Sequence, residues 1–363
     1  MAIKNKKWWR YGLGLLALII YIFIAARPIP KETILKPNWI TSLESNYPIG
    51  IGDYSATETE EFLPFRLGEH YGYFSNNGKF IINQVKKQYL SMSENYWAEY
   101  ESLPSSIQVM NPVNENILTI ENPRGYPLFL DNRVFLVGNE QNSLTVINPD
   151  GEETWNHFFP APITCIDASG GYVLAGTLDG TLILLNSSGK PAFTPFEPGG
   201  SRLSVIMGCA ISRNASQLAV ISGIDEQRFL LLERAGDTYR VIHHEFLLNG
   251  FRRPVNISFV DDDSKIAFEC EKGLGIYDIS ARTTAFLPLD GEIVSIDNSG
   301  LAGFLFVVSS QGPDEMRLIA IRYPGVIILD APFKSKVAFF SRRDKQLFLG
   351  GSLNMVSFEL EKK

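Results

Sequence analysis

Seven basic residues stand beside short β-rich runs of this chain, at positions where loops would gather them around one opening. Basic side chains grouped at one mouth of a protein with an acidic body concentrate positive potential, which attracts an acidic partner or an anionic ligand. The alternative is ordinary solvated surface charge, since Asp290 and Glu292 occupy the corresponding position of one repeat. The predicted binding site consists of Arg66, Arg124, Arg202, Arg252, Arg253, Lys334 and Lys336.

Histidine side chains offer little further chemistry. The four histidines include the neighbours His243 and His244, which would point to opposite faces of a strand and could not hold one metal ion together. Spacings typical of metal sites, such as His-x-x-x-His or Cys-x-x-Cys, do not occur in the sequence. We therefore predict no metal, no cofactor and no catalytic residue, which favours a non-enzymatic role and leaves an enzymatic one open.

Cysteine and aspartate clusters have both functional and structural interpretations. Cys165 and Cys209 each lie three residues before a turn and occupy equivalent positions of neighbouring repeats. They are either a redox pair or small apolar residues packed near the centre of the fold, and the second interpretation is favoured. Asp261–Asp263 does not have the alternating pattern of a calcium loop, so a solvated turn is predicted there.

Composition and charge limit the class of protein that can hold these residues in place. The chain has 363 residues, of which 45% are hydrophobic and 20% charged, as in globular proteins rather than disordered chains or coiled coils. The net charge is −7, but residues 1–36 hold seven Lys or Arg and one Glu, so the remainder carries −13. An acidic body repels phosphate, which excludes general binding of nucleic acid or of anionic lipid by the body.

Residues 11–26 form an uncharged apolar run, YGLGLLALIIYIFIAA. Sixteen helical residues extend about 24 Å, a little less than the ~30 Å hydrocarbon core of a bilayer. We predict a transmembrane signal anchor at residues 11–26, a short cytoplasmic tail at residues 1–10, and the body outside the cytoplasm. A cleaved signal peptide is the alternative, although Phe23 and Ile24 are poor residues for the position three before a cleavage site.

Short β-rich runs separated by Gly, Asn, Asp, Ser and Pro make up the chain after residue 45. The clearest unit, Ile163–Lys190, reads as three strands joined by turns at Ala168–Gly171 and Asp179–Gly180. An Asp-Gly pair between alternating apolar runs is typical of a type I′ hairpin turn, which needs positive φ at both central residues. Leu128–Trp155 and Val255–Leu287 follow the same plan.

An aromatic residue and a proline recur in phase with these units. Seven such prolines lie about 45 residues apart on average, which matches the period of propeller blades, and proline suits connections where a backbone donor has no partner. We therefore predict an all-β fold, a seven-bladed β-propeller over residues 46–363, preceded by one transmembrane helix. A β-sandwich is the alternative, but it would not keep one order of strands and turns through seven repeats. The prolines are Pro64, Pro123, Pro160, Pro195, Pro254, Pro288 and Pro332.

The last repeat, from Lys336 onward, holds only about three strands in its sequence. Glu61–Glu69 resembles Ala285–Glu292, which reads as the outer strand of an earlier repeat. We therefore predict that residues 56–65 supply the missing outer strand, because closing the ring removes exposed sheet edges. Residues 27–45 contain three prolines and are predicted to be a linker.

Two pieces of the chain carry a family resemblance. Leu136–Trp155 (LVGNEQNSLTVINPDGEETW) and Leu174–Lys190 (LAGTLDGTLILLNSSGK) resemble the repeats of quinoprotein-like (PQQ-type) and WD-type propellers in their glycine-flanked hairpins and alternating apolar strands. The resemblance implies a propeller, and bacterial envelope propellers of this repeat type commonly act as assembly scaffolds. The quinone-binding enzymes of this class use adjacent cysteines, which this chain does not have, so the resemblance implies no quinone cofactor.

These observations together predict a membrane-anchored extracytoplasmic scaffold. It would be held by one span, in the inner membrane if the host is a bacterium, and its partners would be other envelope proteins, including acidic ones, and not nucleic acid. The alternative is a propeller enzyme or a small-ligand sensor that uses the central channel.

Overall fold

A computed structural model describes residues 6–25, 33–44, 49–50, 62–247, 250–271, 273–297, 303–343 and 345–362. The chain divides into two compact units. The first comprises residues 1–36 and 360–363, and the second comprises residues 37–359.

Helix α1 spans Lys6–Ala25 and belongs to the first unit. Three basic residues lie near its start, so only Tyr11–Ala25 is uncharged, and such a segment extends about 22 Å, below the ~30 Å of a bilayer core. No helix among the described residues combines the length and the apolarity needed to cross a membrane. The predicted anchor at residues 11–26 is therefore wrong, and so is the single-pass membrane localisation derived from it.

The described strands form eight antiparallel sheets, here called blades. After β1 (Thr33–Ser42) and β2 (Ile49–Gly50), blade 1 contains β3 (Phe62–Leu67), β4 (His70–Ser75) and β5 (Phe80–Val85). Blade 2 contains β6 (Tyr89–Met92), β7 (Trp97–Tyr100), β8 (Ser106–Met110) and β9 (Asn116–Glu121). Blade 3 contains β10 (Gly125–Leu130), β11 (Arg133–Gly138), β12 (Ser143–Ile147) and β13 (Glu153–Phe158). Blade 4 contains β14 (Ile163–Ser169), β15 (Tyr172–Thr177) and β16 (Leu182–Leu185).

The remaining blades follow the same order. Blade 5 contains β17 (Ile206–Ile211), β18 (Gln217–Ser222), β19 (Arg228–Ala235) and β20 (Thr238–Phe246). Blade 6 contains β21 (Ile257–Val260), β22 (Lys265–Cys270), β23 (Gly273–Asp278) and β24 (Thr283–Pro288). Blade 7 contains β25 (Glu292–Ile296), β26 (Phe304–Gly312), β27 (Glu315–Arg322) and β28 (Val326–Lys334). Blade 8 contains β29 (Ala338–Arg343), β30 (Gln346–Gly351) and β31 (Asn354–Lys362), together with β1 and β2.

The fold is thus an all-β propeller with eight blades in the described residues, and the predicted number of seven is wrong. The missed sheet is blade 2, which lies in the long interval between Pro64 and Pro123. Its inner strand β6 follows Lys86–Gln88, where the aromatic–proline pair of the other repeats is absent. The average proline spacing therefore did not reveal that the interval between Pro64 and Pro123 contains strands of two blades, blade 1 and blade 2.

The middle strands are apolar along their whole length because neighbouring blades cover both faces of each sheet. In β15 and β18 every residue after the first is buried. The turn Asp131–Asn132 has positive φ at both residues (48° and 55°), as a type I′ hairpin requires. The predicted hairpin at Asp179–Gly180 exists, but positive φ occurs only at Gly180 of that pair, so its turn is not type I′.

Blade 8 joins the two ends of the described chain in the order β2-β1-β31-β30-β29. Its outer strand is β1, so residues 33–42, predicted as part of a linker, form a strand instead. Of the predicted closing segment, residues 56–61 lie outside the described residues, and Phe62–Phe65 belongs to β3 of blade 1. Closure by an early segment therefore occurs, but the strand was placed too late in the sequence.

Trp39 of the closing strand β1 is buried in a hydrophobic core between blades 8 and 1. Its ring lies 5.9 Å from the Phe348 ring and 6.3 Å from the Phe74 ring, centroid to centroid. Its indole Nε1 donates a hydrogen bond to the Asn76 carbonyl at 3.0 Å. A Cβ at Gly78 would lie 2.8 Å from this indole, which explains a glycine at that turn.

Candidate functional site: the crossover face

The first strand of each blade lies at the centre of the propeller, and successive inner strands contact one another from β10 to β14, β17 and β21, and from β25 to β29 and β3. The chain crosses from the outer strand of one blade to the inner strand of the next at a single face. We call this the crossover face, and it carries the loops 86–88, 122–124, 197–205, 250–256, 289–291 and 335–337. The opposite face, the hairpin face, carries the first hairpin turns 93–96, 131–132, 170–171, 212–216 and 261–264.

Blade 1 runs in the reverse direction to the other blades. A Cβ at Gly68, in the turn after β3, would lie 3.6 Å from Val337, which immediately precedes β29. At the other end, Gln346 at the start of β30 donates to the carbonyl of Asn76 at 3.4 Å. Strand β3 is therefore antiparallel to β29. Because blade 1 starts in this direction, its third strand, β5, ends at the face where β6 begins.

This reversal decides where Arg66 lies. Because Arg66 is one residue from the end of β3, it is near the crossover face rather than the hairpin face. Lys334 ends β28 and also lies at the crossover face. The other five predicted residues lie in the crossover loops themselves, namely Arg124, Arg202, Arg252, Arg253 and Lys336.

Two of the seven predicted residues form ion pairs. The Arg253 guanidinium contacts both carboxylate oxygens of the buried Glu269, at 3.1 and 2.6 Å, and lies 3.5 Å from Glu292. The hydrogen bond to Glu269 raises the pKa of Arg253. Arg202 is exposed and reaches Asp225 at 3.8 Å. Arg253 therefore neutralises a buried carboxylate, and its charge is not freely available to a ligand.

The other five basic side chains are exposed and make no ion pair with a described residue. Acidic side chains on neighbouring turns of the same face, such as Asp290 and Glu315, keep the face mixed in charge. Lys334 lies directly opposite Glu315 in the strand ladder. The predicted residues whose charge is available are Arg66, Arg124, Arg252, Lys334 and Lys336.

Sequence reasoning missed two further basic residues at this face. Lys86 and Lys87 lie in the loop that leads into β6. They were missed together with blade 2, although two consecutive lysines directly before a β-rich run could have indicated basic residues in a crossover loop.

A groove of about 340 Å³ opens along the channel between β3, β6, β25 and β29. Its wall is largely apolar and includes Phe65, Leu90, Met92 and Phe339. Arg66 also lines the groove, so a cation lies beside an apolar wall. The arrangement suits a molecule with an apolar body and a negative group.

A second groove of about 340 Å³ lies at the crossover face between blades 2 and 3. Three tyrosines line it, and the rings of Tyr89 and Tyr100 stack with centroids 5.9 Å apart. Burial raises the pKa of the third, Tyr126. Tyrosine-lined grooves with polar rims are typical of protein-binding surfaces. This groove was also missed with blade 2.

The histidines and aspartates singled out in the sequence have structural contacts. His243 and His244 are consecutive residues of β20, opposite Leu231 and Leu230. Asp261 is not simply solvated as predicted, because it accepts hydrogen bonds from Lys265 (2.8 Å) and from the Gly303 backbone of blade 7 (3.0 Å). Among the residues that the structure describes, no three His, Cys, Asp or Glu side chains are grouped as metal ligands would be.

Comparisons with known proteins agree with the fold. BamB from Moraxella catarrhalis superimposes with a TM-score of 0.56 at 10% sequence identity, over 90% of this chain and 100% of that chain. An uncharacterized protein of Treponema pallidum (strain Nichols) is 27% identical over 353 residues, which cover 96% of this chain and 93% of that protein. A family model described as "beta-propeller protein" matches residues 1–363, and the chain therefore belongs to this β-propeller family.

Proposed function

We propose that this propeller is a protein-interaction scaffold of the cell envelope and that its crossover face binds an acidic partner. The observation that carries the proposal is the set of five exposed basic side chains without ion pairs in the described structure, on one face of a chain whose body is acidic. They are Arg66, Arg124, Arg252, Lys334 and Lys336.

Charge and shape at this face favour a protein partner. Cations around one mouth raise the local potential and steer a negatively charged surface toward it. The adjoining tyrosine groove offers rigid rings with polar tips, which are enriched among residues that dominate interface binding energy. A charged rim would thus orient the partner, and the groove would contribute affinity.

The envelope setting is supported by the resemblance of Leu136–Trp155 and Leu174–Lys190 to repeats of PQQ-type and WD-type propellers, among which envelope scaffolds are common. The shared fold with BamB supports the architecture on which such a role depends. Because propellers host many functions, the proposed role depends on the site rather than on the fold.

Crosslinking in intact cells, followed by mass spectrometry, tests the proposal with two matched charge reversals. Arg252→Glu with Lys336→Glu alters the crossover face, whereas Lys79→Glu with Lys190→Glu makes the same change in net charge at exposed residues near the hairpin face. We expect the first pair to reduce crosslinks to envelope proteins at least tenfold and the second pair to leave them unchanged. Equal yields from both variants would contradict the proposed face.

The channel groove favours a second candidate, a sensor for a small amphipathic anion. Its apolar wall would cover the body of the ligand, and Arg66 would pair with the negative group. Calorimetric titration with decanoate should show binding that Met92→Glu abolishes and that decanol does not reproduce. Equal binding of decanoate and decanol would remove the role of Arg66.

A further inference from the structure

Two cysteines meet at the boundary between blades 4 and 5. Cys165 lies on the inner strand β14 and Cys209 on the inner strand β17, as their equivalent positions in the sequence predicted. Both sulfur atoms lie against strand β15. The Cys209 thiol is 3.8 Å from the Leu174 carbonyl, and a Cβ at Gly176 would lie 2.7 Å from the Cys165 sulfur.

Two hydrogen bonds hold the inner strands in register on either side of the thiols. The Thr164 hydroxyl donates to the Ile206 carbonyl at 2.6 Å. Beyond the cysteines, the Ile211 N–H donates to the Asp167 carboxylate at 2.9 Å. The two thiols therefore lie on neighbouring inner strands whose register is fixed on either side of them.

We propose that Cys165 and Cys209 form a reversible oxidation site, at which a low-molecular-weight disulfide converts the two thiols into a disulfide bond between blades 4 and 5. Glutathione disulfide is the chemical class of oxidant that the site would take.

The difference in solvent exposure between the two strands indicates which cysteine reacts first. Every residue of β14 is partly exposed, whereas every residue of β17 is buried. The Cys165 thiolate would attack one sulfur of glutathione disulfide, which breaks that S–S bond and releases one glutathione thiolate. The Cys209 thiolate would then attack the Cys165 sulfur, form the inter-blade bond and release the second glutathione. The two protein thiol protons end on the two glutathiones, so two thiols are oxidised and one disulfide is reduced.

The environment of Cys209 makes it unsuited to attack first. The hydrogen bond with Cys165, followed by burial, raises the pKa of Cys209. A protonated buried thiol is a poor nucleophile, so Cys165 attacks first, and Cys209 takes the second step because the mixed disulfide forms beside it.

The bond would join strands that are already neighbours and would close the segment between residues 165 and 209. A cross-link of this kind restricts the unfolded chain and stabilises the folded state. The oxidised protein should therefore unfold at a thermal midpoint several degrees above that of the reduced protein.

The test uses the full chain, reduced and then incubated with glutathione disulfide, alkylated with iodoacetamide and mapped by mass spectrometry without reduction. We expect a linked peptide pair containing Cys165 and Cys209 to become the major form, and added reduced glutathione to reverse it. Recovery of both thiols in alkylated form, or of glutathione adducts without the link, would overturn the proposal. Formation of the link only in urea would overturn it as well.

Variants separate the two steps. Cys209→Ala should leave Cys165 as a stable mixed disulfide with glutathione, because the second nucleophile is absent. Cys270→Ala is the matched control, since it removes the third cysteine in blade 6 and should leave the linked pair unchanged. Loss of the link in Cys270→Ala would assign the reactive pair elsewhere and contradict the site.

Discussion

The hairpin face and the crossover face differ in how most of their basic residues are used. Turns at the hairpin face bond to the turn of the next blade, so their polar groups act between blades. Arg133 donates to the Tyr172 carbonyl at 2.9 Å, and the Arg213 guanidinium pairs with Asp262 at 2.8 Å. At the crossover face five basic side chains instead extend into solvent without a described ionic partner.

The difference follows from the geometry of the blades. First hairpin turns are short and lie side by side around the channel, where one turn can reach the next. Crossover loops carry the chain inward from an outer strand. A basic residue therefore stabilises the fold where a partner is within reach, and it remains available for binding where none is.

The largest expected effect concerns the buried pair of Arg342 and Asp297 near the hairpin face, whose nitrogen and oxygen lie 2.7 Å apart with 1% and 5% of their side chains exposed. Arg342→Met would leave a buried carboxylate without its cation, which costs about 3–5 kcal/mol of unfolding free energy. Arg252→Met, at the crossover face, should change it by less than about 0.5 kcal/mol. Urea unfolding at pH 7 measures the free energy of unfolding of both variants. An equal decrease in the two would contradict the distinction between the faces.

The next effect compares two consecutive arginines of one crossover loop. Arg253→Met should destabilise the protein by about 1–3 kcal/mol, because Glu269 is buried and loses its bidentate partner. Arg252→Met should weaken partner capture without this loss. If Arg253→Met unfolds at the same urea concentration as the unchanged protein, the pair with Glu269 has no net structural role.

A pH dependence is expected from Asp167 at the boundary between blades 4 and 5. Burial raises the pKa of Asp167 from 3.8 to about 6. The folded protein therefore holds this proton more tightly than the unfolded chain, and the stabilisation is complete below pH 3.8 and is lost as the pH rises through 6. Because the residue is partly exposed, we expect a fall of about 1–2 kcal/mol over this window.

Asp167→Asn separates this contribution from those of other carboxyl groups. The variant cannot titrate at this position, so its unfolding free energy relative to the unchanged protein should rise by the same amount between pH 4 and pH 7. Urea midpoints at several pH values measure the difference. Parallel curves for the two proteins would show that Asp167 has the same pKa in both states.

The smallest effect concerns an exposed pair of the hairpin face. Arg213→Ala removes the contact with Asp262, in which 64% and 69% of the two side chains are exposed, and should cost only about 0.5 kcal/mol. High salt should remove most of that difference. A larger, salt-independent loss would mean that even exposed hairpin contacts act as structural joints between blades.

Local sequence patterns predicted several strands and turns correctly, whereas the spacing of prolines along the chain gave the wrong number of blades. The strands and turns of Ile163–Lys190 were predicted because alternation and turn residues act over a few positions. Blade 2 was missed because its inner strand has no proline mark, and its tyrosine groove was missed with it. The predicted site residues were assigned to one mouth by their position in the repeat. The contact of Arg253 with Glu269 joins a crossover loop to a middle strand 16 residues later, and no local sequence pattern indicates it.

The sequence by itself determined where strands and turns form, since side-chain alternation and backbone preference at Asp, Asn and Gly are properties of short segments. It also determined the acidic body and the positions of the basic residues. Tertiary structure decided that there are eight blades, that Thr33–Ser42 closes the last one, that blade 1 runs in reverse, and which arginines keep their charge free. Those outcomes depend on pairings between residues far apart in the chain, whose free energies are set only when the blades pack together.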